Sequence, residues 1–304
     1  MDIKDRGSDN RCICCNGIVS RQLTLTSKFL SKRAWDGEVE WSRTNKCQAC
    51  GFAFHARGLS EIEITNYYSG YRDENYFLGR NACELFYTRK LHDELDLNLG
   101  SELRRAALRN YITANTDIFS PAADSCSTLD FGGGKGRLVE DFAGKKFVYD
   151  VSGESPVDGV TSLTEADLFN MSFDLVVCAQ MLEHATDPLA TAKRVYDLVK
   201  PGGVLYIEVP YNETWKDFSC DGKIRTWFLK LAKNHNWFNV LLDSYGTLFR
   251  VKFKILPPLG YVPVREHLNY FSIQSFLELS KKLDAKVLDA SRKELLGTVL
   301  LLKK

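Results

Sequence analysis

From residue 127 to the end of the chain, short apolar runs alternate with amphipathic stretches. STLDF, KKFVYDVS, FDLVVCAQ and GVLYIEVP read as strands. GRLVEDFAG reads as a helix, as does the segment opening at Asp187-Pro188, with Asp187 as N-cap and Pro188 in the first helical position. This alternation predicts an α/β domain with a parallel sheet and helices on both faces. Such sheets bind ligands at the carboxyl ends of their strands. Upstream the pattern differs. LTLTSKFL and GEVEWSRTNK show partial strand-like alternation, and NACELFYTRKLHDELDLNLGSELRRAALRNYITANTDIF carries apolar residues on a helical repeat. Three segments are expected: a small module over residues 1–60, a tyrosine-rich and helical linker over 61–104, and an α/β domain over 105–304. The last contains a long insertion at 211–266.

The turn after STLDF concentrates the candidate chemistry. Asp130, Gly132, Gly134 and Gly136 form D-x-G-x-G-x-G. A dinucleotide fingerprint counted from Gly132 needs glycine at 137, where Arg137 stands, and the P-loop pattern fails as well. The expected cargo is therefore a nucleoside carried without a pyrophosphate. Glycines let a backbone approach such a ligand closely. Asp150 closes KKFVYD twenty residues on, where it can accept hydrogen bonds from both ribose hydroxyls. Asp130 lies where it can order the turn or meet a ligand ammonium through water.

Composition changes the picture in one place. A chain of 304 residues with 44% hydrophobic and 26% charged content and a net charge of +1 is ordinary for a soluble protein, with no global drive toward nucleic acid. No apolar run approaches the roughly 20 residues of a membrane span, and MDIKDRGSDN lacks a signal-peptide core. A cytoplasmic location is expected, where the nine cysteines would stay mostly reduced. Five of them fall in RCICCNG and KCQACGF. Cys12 with Cys15 and Cys47 with Cys50 are two C-x2-C pairs, the spacing of a four-thiolate structural Zn2+ site in a zinc ribbon. Cys14 is an alternative ligand, and a set of buried thiols is the plainer alternative. Four thiolates leave no open position for catalysis at the metal.

LDFGGGKG, VYD, FDLVVCAQMLEHATDP and LVKPGGVLYIEVP, in this order and spacing, resemble the motifs of the Rossmann-like, class I S-adenosylmethionine-dependent methyltransferases over roughly residues 105–304. QSFLELSKKLDAKVLDASRKELLGTVLLLKK is similar to the family's last helix and closing strand pair. The resemblance implies a seven-stranded sheet in the order 3-2-1-4-5-7-6 with the last-formed strand antiparallel. It implies S-adenosylmethionine held by Asp130, Gly132, Gly134, Gly136 and Asp150, with Ser162 and Leu163 toward the adenine and Gln180 beside the cofactor. The tail ends without the further domain of relatives that methylate carbon on deoxysugars, which points to a hydroxyl acceptor.

A hydroxyl nucleophile benefits from losing its proton, and histidine suits that task. His184, after Glu183 in MLEHATDP, is the candidate base, and a structural pair is the alternative. The N-terminal cysteine pairs, with YYSGYRDENYF and EHLNYFS, resemble methyltransferases of bacterial sugar and surface-glycan biosynthesis. The implied acceptor is a small molecule or glycan, above all a sugar or sugar-nucleotide hydroxyl, nucleotide- or lipid-linked. His267 either lines the pocket or caps the last helix. The insertion at 211–266, with aromatic and basic residues interleaved, reads as a lid over the acceptor, or else as a peripheral membrane contact. An RNA base methyltransferase and a non-catalytic binding protein are the alternatives. Nucleic acid is not the expected partner, given the near-neutral charge and the absence of [ND]-P-P-[YF] after FDLVVCAQ.

Overall fold

The computed structural model describes residues 6–7, 9–118, 125–210, 222–249, 253 and 261–304. Its chain contacts divide it into two compact units, Met1–Glu94 with Asn212–Tyr270, and Leu95–Tyr211 with Phe271–Lys304. The insertion read at 211–266 thus belongs, over its described residues, with the N-terminal unit. WKDFSCD and, apart from Phe253, VKFKILPPLG of that insertion lie outside the described residues.

In the first unit, β1 (Val19–Leu25) and β2 (Trp41–Cys47) pair antiparallel with Val19 opposite Cys47. β3 (Ala53–His55) adds to β2, and β9 in chain order (Asn269–Tyr270) adds to β3, so the sheet runs β1-β2-β3-β9. A helix, Lys28–Trp35, fills the β1–β2 connection. Its N-cap Ser27 accepts from the Leu30 amide. The helix Glu61–Tyr68 starts with a capping box in which Ser60 and Glu63 satisfy each other's backbone amides. The linker tyrosines are core residues of this unit. Tyr67 and Tyr76 are fully buried around Phe29, with Tyr68 and Tyr71 packed against them. The Phe29 and Tyr76 rings meet edge to face at 5.2 Å.

The second unit is built on a seven-stranded sheet: β4 (Ser127–Phe131), β5 (Lys145–Tyr149), β6 (Thr161–Ser162), β7 (Phe173–Ala179), β8 (Val199–Val209), β10 (Lys286–Lys293) and β11 (Gly297–Lys303). Its order is β10-β11-β8-β7-β4-β5-β6. Numbered within the sheet this is the expected 3-2-1-4-5-7-6, and β11 runs antiparallel to both neighbours. The strands are apolar because both faces are covered. Leu108 and Ile112 of the helix Glu102–Asn115 pack on Leu175, Val177, Tyr206 and Leu301.

One predicted element shrinks. GRLVEDFAG does not form an α-helix, and a single tight turn, Arg137–Val139, replaces it. The connection must return along the five-residue strand β4, about 16 Å, with only residues 137–144 left after the glycine turn. Eight residues at the α-helical rise cover only about 12 Å. The longer rise of tighter turns, about 2 Å per residue, closes that gap.

Candidate functional site

The site in the second unit begins where β4 ends. Gly132, Gly134 and Gly136 all have φ near the left-handed region, at 75°, 57° and 72°. Two of them also have no room for a side chain. A Cβ on Gly132 would lie 2.9 Å from Met181, and one on Gly136 would lie 2.8 Å from Val160. At Gly134 the nearest atom is 3.4 Å away, so only the backbone angle demands glycine there and the space above it is open. Gly133, which the motif reading passed over, is the tightest of all: its Cβ would collide with the Asp130 carboxyl.

Asp150 organises this turn. Its Oδ2 accepts from the Gly134 amide at 2.8 Å and its Oδ1 from the Ser152 amide at 2.7 Å. A carboxylate has about four acceptor positions, so two remain for a diol. Val151, directly after it, is 71% exposed, an apolar surface beside the acid. Ser162 lies exposed in the short β6, paired in register with Val148 of β5.

Asp130 is buried beneath the turn, and its Oδ2 has no hydrogen-bond partner. Burial, and next the charge of Asp150, push its carboxyl up to about 7. An orphaned buried carboxylate oxygen of this kind fits the ammonium of an amino-acid ligand, which would supply the missing donors.

At the ends of β7 and β8 the structure brings together residues that lie far apart in sequence. Gln180 has a left-handed backbone, φ 57°, uncommon for a residue with a side chain. Its amide donates to the Glu208 carbonyl at 2.8 Å and its side chain to Glu208 Oε1 at 2.7 Å. Arg104 donates to the same oxygen at 2.5 Å, and Tyr206 donates to Oε2 at 2.7 Å. The side chains of Arg104 and Glu208 are 11% and 2% exposed, so this ion pair is nearly dry. Neither residue was singled out from sequence. Glu208 could have been, as the lone acid inside the apolar run GVLYIEVP, whereas Arg104 carries no local signal.

Glu183 and His184 lie in the turn after β7, where the His184 amide donates to the Met181 carbonyl. Glu183 is 2% exposed and neither carboxylate oxygen has a hydrogen-bond partner. Burial drives its carboxyl well above the usual range, and the charge of Glu208 adds to this. His184 Nε2 stands 3.8 Å from Glu183 Oε1, and its side chain is 21% exposed. A buried carboxyl is thus set beside an accessible imidazole. His267 falls in the first unit, two residues before β9.

The first unit carries a separate centre. The sulfurs of Cys12, Cys15, Cys47 and Cys50 all lie within 4.8 Å of one another. Cys12 to Cys50 is 3.8 Å and Cys15 to Cys47 is 3.4 Å. A tetrahedral site with metal–sulfur bonds of about 2.3 Å requires sulfurs about 3.8 Å apart, so the set fits. Each pair sits in a tight knuckle: the Asn16 amide donates to the Cys12 carbonyl and the Gly51 amide to the Cys47 carbonyl, with Asn16 and Gly51 both at positive φ. Backbone amides of Cys14 and Cys50 point at the sulfurs of Cys12 and Cys47. The Cys14 sulfur is not in the four-sulfur group.

A doubly wound sheet with its glycine turn, paired acid and post-strand loop at the strands' carboxyl ends defines a class I S-adenosylmethionine-dependent methyltransferase domain. The chain belongs to the methyltransferase-domain family, whose model matches residues 99–290. Over 147 residues it is 29% identical to a ubiquinone biosynthesis O-methyltransferase of Ruegeria pomeroyi, covering 41% of this chain and 50% of that protein. A shorter match, 53% over 36 residues, joins it to the protein of the same name in Xanthomonas campestris pv. campestris strain B100, covering 12% of this chain and 15% of the relative. The chain therefore spans half or less of the length of these relatives. Among solved structures, it is similar to magnesium protoporphyrin IX methyltransferase of Synechocystis with bound SAH, at 10% identity and a TM-score of 0.41, over 71% and 87% of the two chains.

Proposed function

We propose that the chain transfers a methyl group from S-adenosylmethionine to a hydroxyl of a sugar or sugar nucleotide, with His184 taking the proton. The observation that carries this is an accessible imidazole in the loop after β7, at the same strand ends as the cofactor turn. The cofactor supplies an electrophilic methyl on a sulfonium. Gly132 to Gly136 admit its amino-acid end, Asp130 faces the ammonium, and Asp150 takes the ribose diol. As the acceptor oxygen bonds to the methyl carbon, the carbon–sulfur bond breaks and its electron pair returns to sulfur. The hydroxyl proton passes to His184, leaving neutral thioether and methyl ether. Glu183, its carboxyl raised by burial, stands 3.8 Å from the imidazole.

A hydroxyl acceptor agrees with the printed names of the Ruegeria and Xanthomonas relatives, both O-methyltransferases. Those names also favour a second reading, in which the hydroxyl belongs to a quinone precursor. In this reading Cys12, Cys15, Cys47 and Cys50 hold structural zinc, which their four-sulfur grouping supports, and the chain works in the cytoplasm. No helix among the described residues is long and apolar enough to cross a membrane.

Transfer of labelled methyl from S-adenosylmethionine to a panel of sugar nucleotides and phenols tests the acceptor, and label in phenols alone would replace the sugar reading. His184→Ala should lower kcat by about 10²–10⁴ with little change in S-adenosylhomocysteine affinity. Full turnover would return the histidine to a structural role.

A pH dependence follows from Asp130. Its folded pKa, about 7, is above the unfolded carboxyl range. The stability contributed by its neutral form is present in full below about pH 4 and lost as pH rises through 7. An ammonium ligand needs the charged form. Calorimetric affinity for S-adenosylhomocysteine should therefore rise as pH increases through about 7, and Asp130→Asn should flatten that rise. An unchanged slope in the variant would remove Asp130 from the ammonium site.

A further inference from the structure

The helix Lys223–Asn234 in the first unit has its core side fully used. Arg225, Leu229 and Ala232, spaced four and three residues apart, are buried and form one stripe. Leu229 and Ala232 pack on Leu25, Val39 and Tyr261, and the Arg225 guanidinium donates to the Leu23 carbonyl. At about 100° per residue, the opposite face is centred on Trp227. Lys223 and Lys230 lie on one flank of that tryptophan, and Ile224 on the other.

This outer face is unusual. Ile224 is 73% exposed, Trp227 64%, and Trp237, at the start of the following helix Asn236–Leu248, 69%. Two large apolar side chains exposed on one helix face, with a third opening the next helix, mark an interaction site. Charge narrows the partner. From Lys223 to Leu242 there is no acidic residue, while Lys223, Lys230 and Lys233 are basic. An open groove of about 480 Å³ is lined by Gly222, Lys223, Thr226, Trp227 and Lys230, so it joins the indole to two lysines.

We propose that this face docks the protein on an anionic lipid bilayer. Tryptophan is favoured at the membrane–water boundary, with its ring among the acyl chains and its N–H toward the headgroups. Lysines let their stems follow the apolar surface while the ammonium meets phosphate. A helix with tryptophan and isoleucine beside lysines, and no acid, meets both demands at once. Its core stripe already anchors it, so it lies on the membrane and does not enter its own protein. The docking stands whichever hydroxyl is methylated, and it would bring the enzyme to acceptors carried on lipid.

The test is sedimentation of the full chain with phosphatidylcholine vesicles, with and without phosphatidylglycerol. Binding is expected only with the anionic lipid and should weaken as salt rises. Lys223→Glu/Lys230→Glu should weaken partition by about tenfold or more. Trp227→Ala/Trp237→Ala should do the same at every salt concentration, and both variants should melt like the parent, because the altered side chains are exposed. Absence of vesicle binding by the parent chain overturns the proposal. So does equal binding by both variants, which would move the contact elsewhere. Retention of RNA without vesicle binding, or a dimer that dissociates in the tryptophan variant without vesicle binding, also overturns it.

Discussion

Serine in place of Cys47 should abolish the proposed zinc binding and unfold the surroundings of β2, with the methyltransferase sheet left intact. Cys47 is the last residue of β2, 1% exposed, and its sulfur is 3.4 Å from that of Cys15. Its amide donates to the Phe52 carbonyl, so it also closes the turn that positions Cys50. In the thiol form, burial and the neighbouring sulfurs push the Cys12, Cys15 and Cys50 groups upward, whereas a divalent cation reverses that balance. Structural zinc in small modules is worth about 10–16 kcal/mol of apparent binding, most of it folding energy. The expected readouts are zinc content falling from one per chain to near zero and fast amide exchange across residues 19–55. Cys14→Ser is the control and should keep its metal, because that sulfur lies outside the group of four. Stoichiometric zinc in Cys47→Ser, with unchanged exchange, would falsify the four-thiolate set.

The second large effect is expected at Arg104. Arg104→Met leaves Glu208 buried and charged beside Asp130 and Glu183, three acids in one dry region. Removing one partner of a buried ion pair typically costs about 3–5 kcal/mol. Chemical unfolding should show that loss in the methyltransferase unit. The change should also reach the cofactor. The positive charge of Arg104 acts on both Asp130 and Glu183 and lowers both. Without it Asp130 should stay protonated to higher pH, so S-adenosylhomocysteine should bind more weakly at pH 7 than at pH 8. Glu208→Gln keeps the hydrogen bonds of Gln180 and should cost less. A loss under about 1 kcal/mol for Arg104→Met would mean that water reaches Glu208 and that the network is not dry.

The glycine turn could be read directly because its constraint is local. Three closely spaced residues at positive φ favour glycine, and the pattern D-x-G-x-G-x-G states this without any partner. The cysteine pairs are similar, since two C-x2-C knuckles carry their own geometry. The same local logic misled at GRLVEDFAG, where helix propensity is real but the distance back along β4 decides the rise per residue. It also missed Gly133, whose reason is the Asp130 carboxyl and not a backbone angle.

The roles of the acids could not be read in this way. Asp130, Asp150, Glu183 and Glu208 are equivalent letters in the chain. Folding makes Asp150 a half-exposed acceptor fed by two backbone amides, Asp130 a buried group near neutrality, Glu183 an acid raised by burial and Glu208 a partner of Arg104. The linker tyrosines show the same dependence, becoming the core around Phe29 through contacts with a helix tens of residues earlier. By itself the sequence determined the cofactor turn and the sulfur pairs, because these follow from backbone angles and short spacings, while the strand order came with the family resemblance. The tertiary structure alone decided which charges are dry, which are paired and which tryptophans stay exposed, because desolvation and Coulomb terms depend on neighbours that only folding supplies.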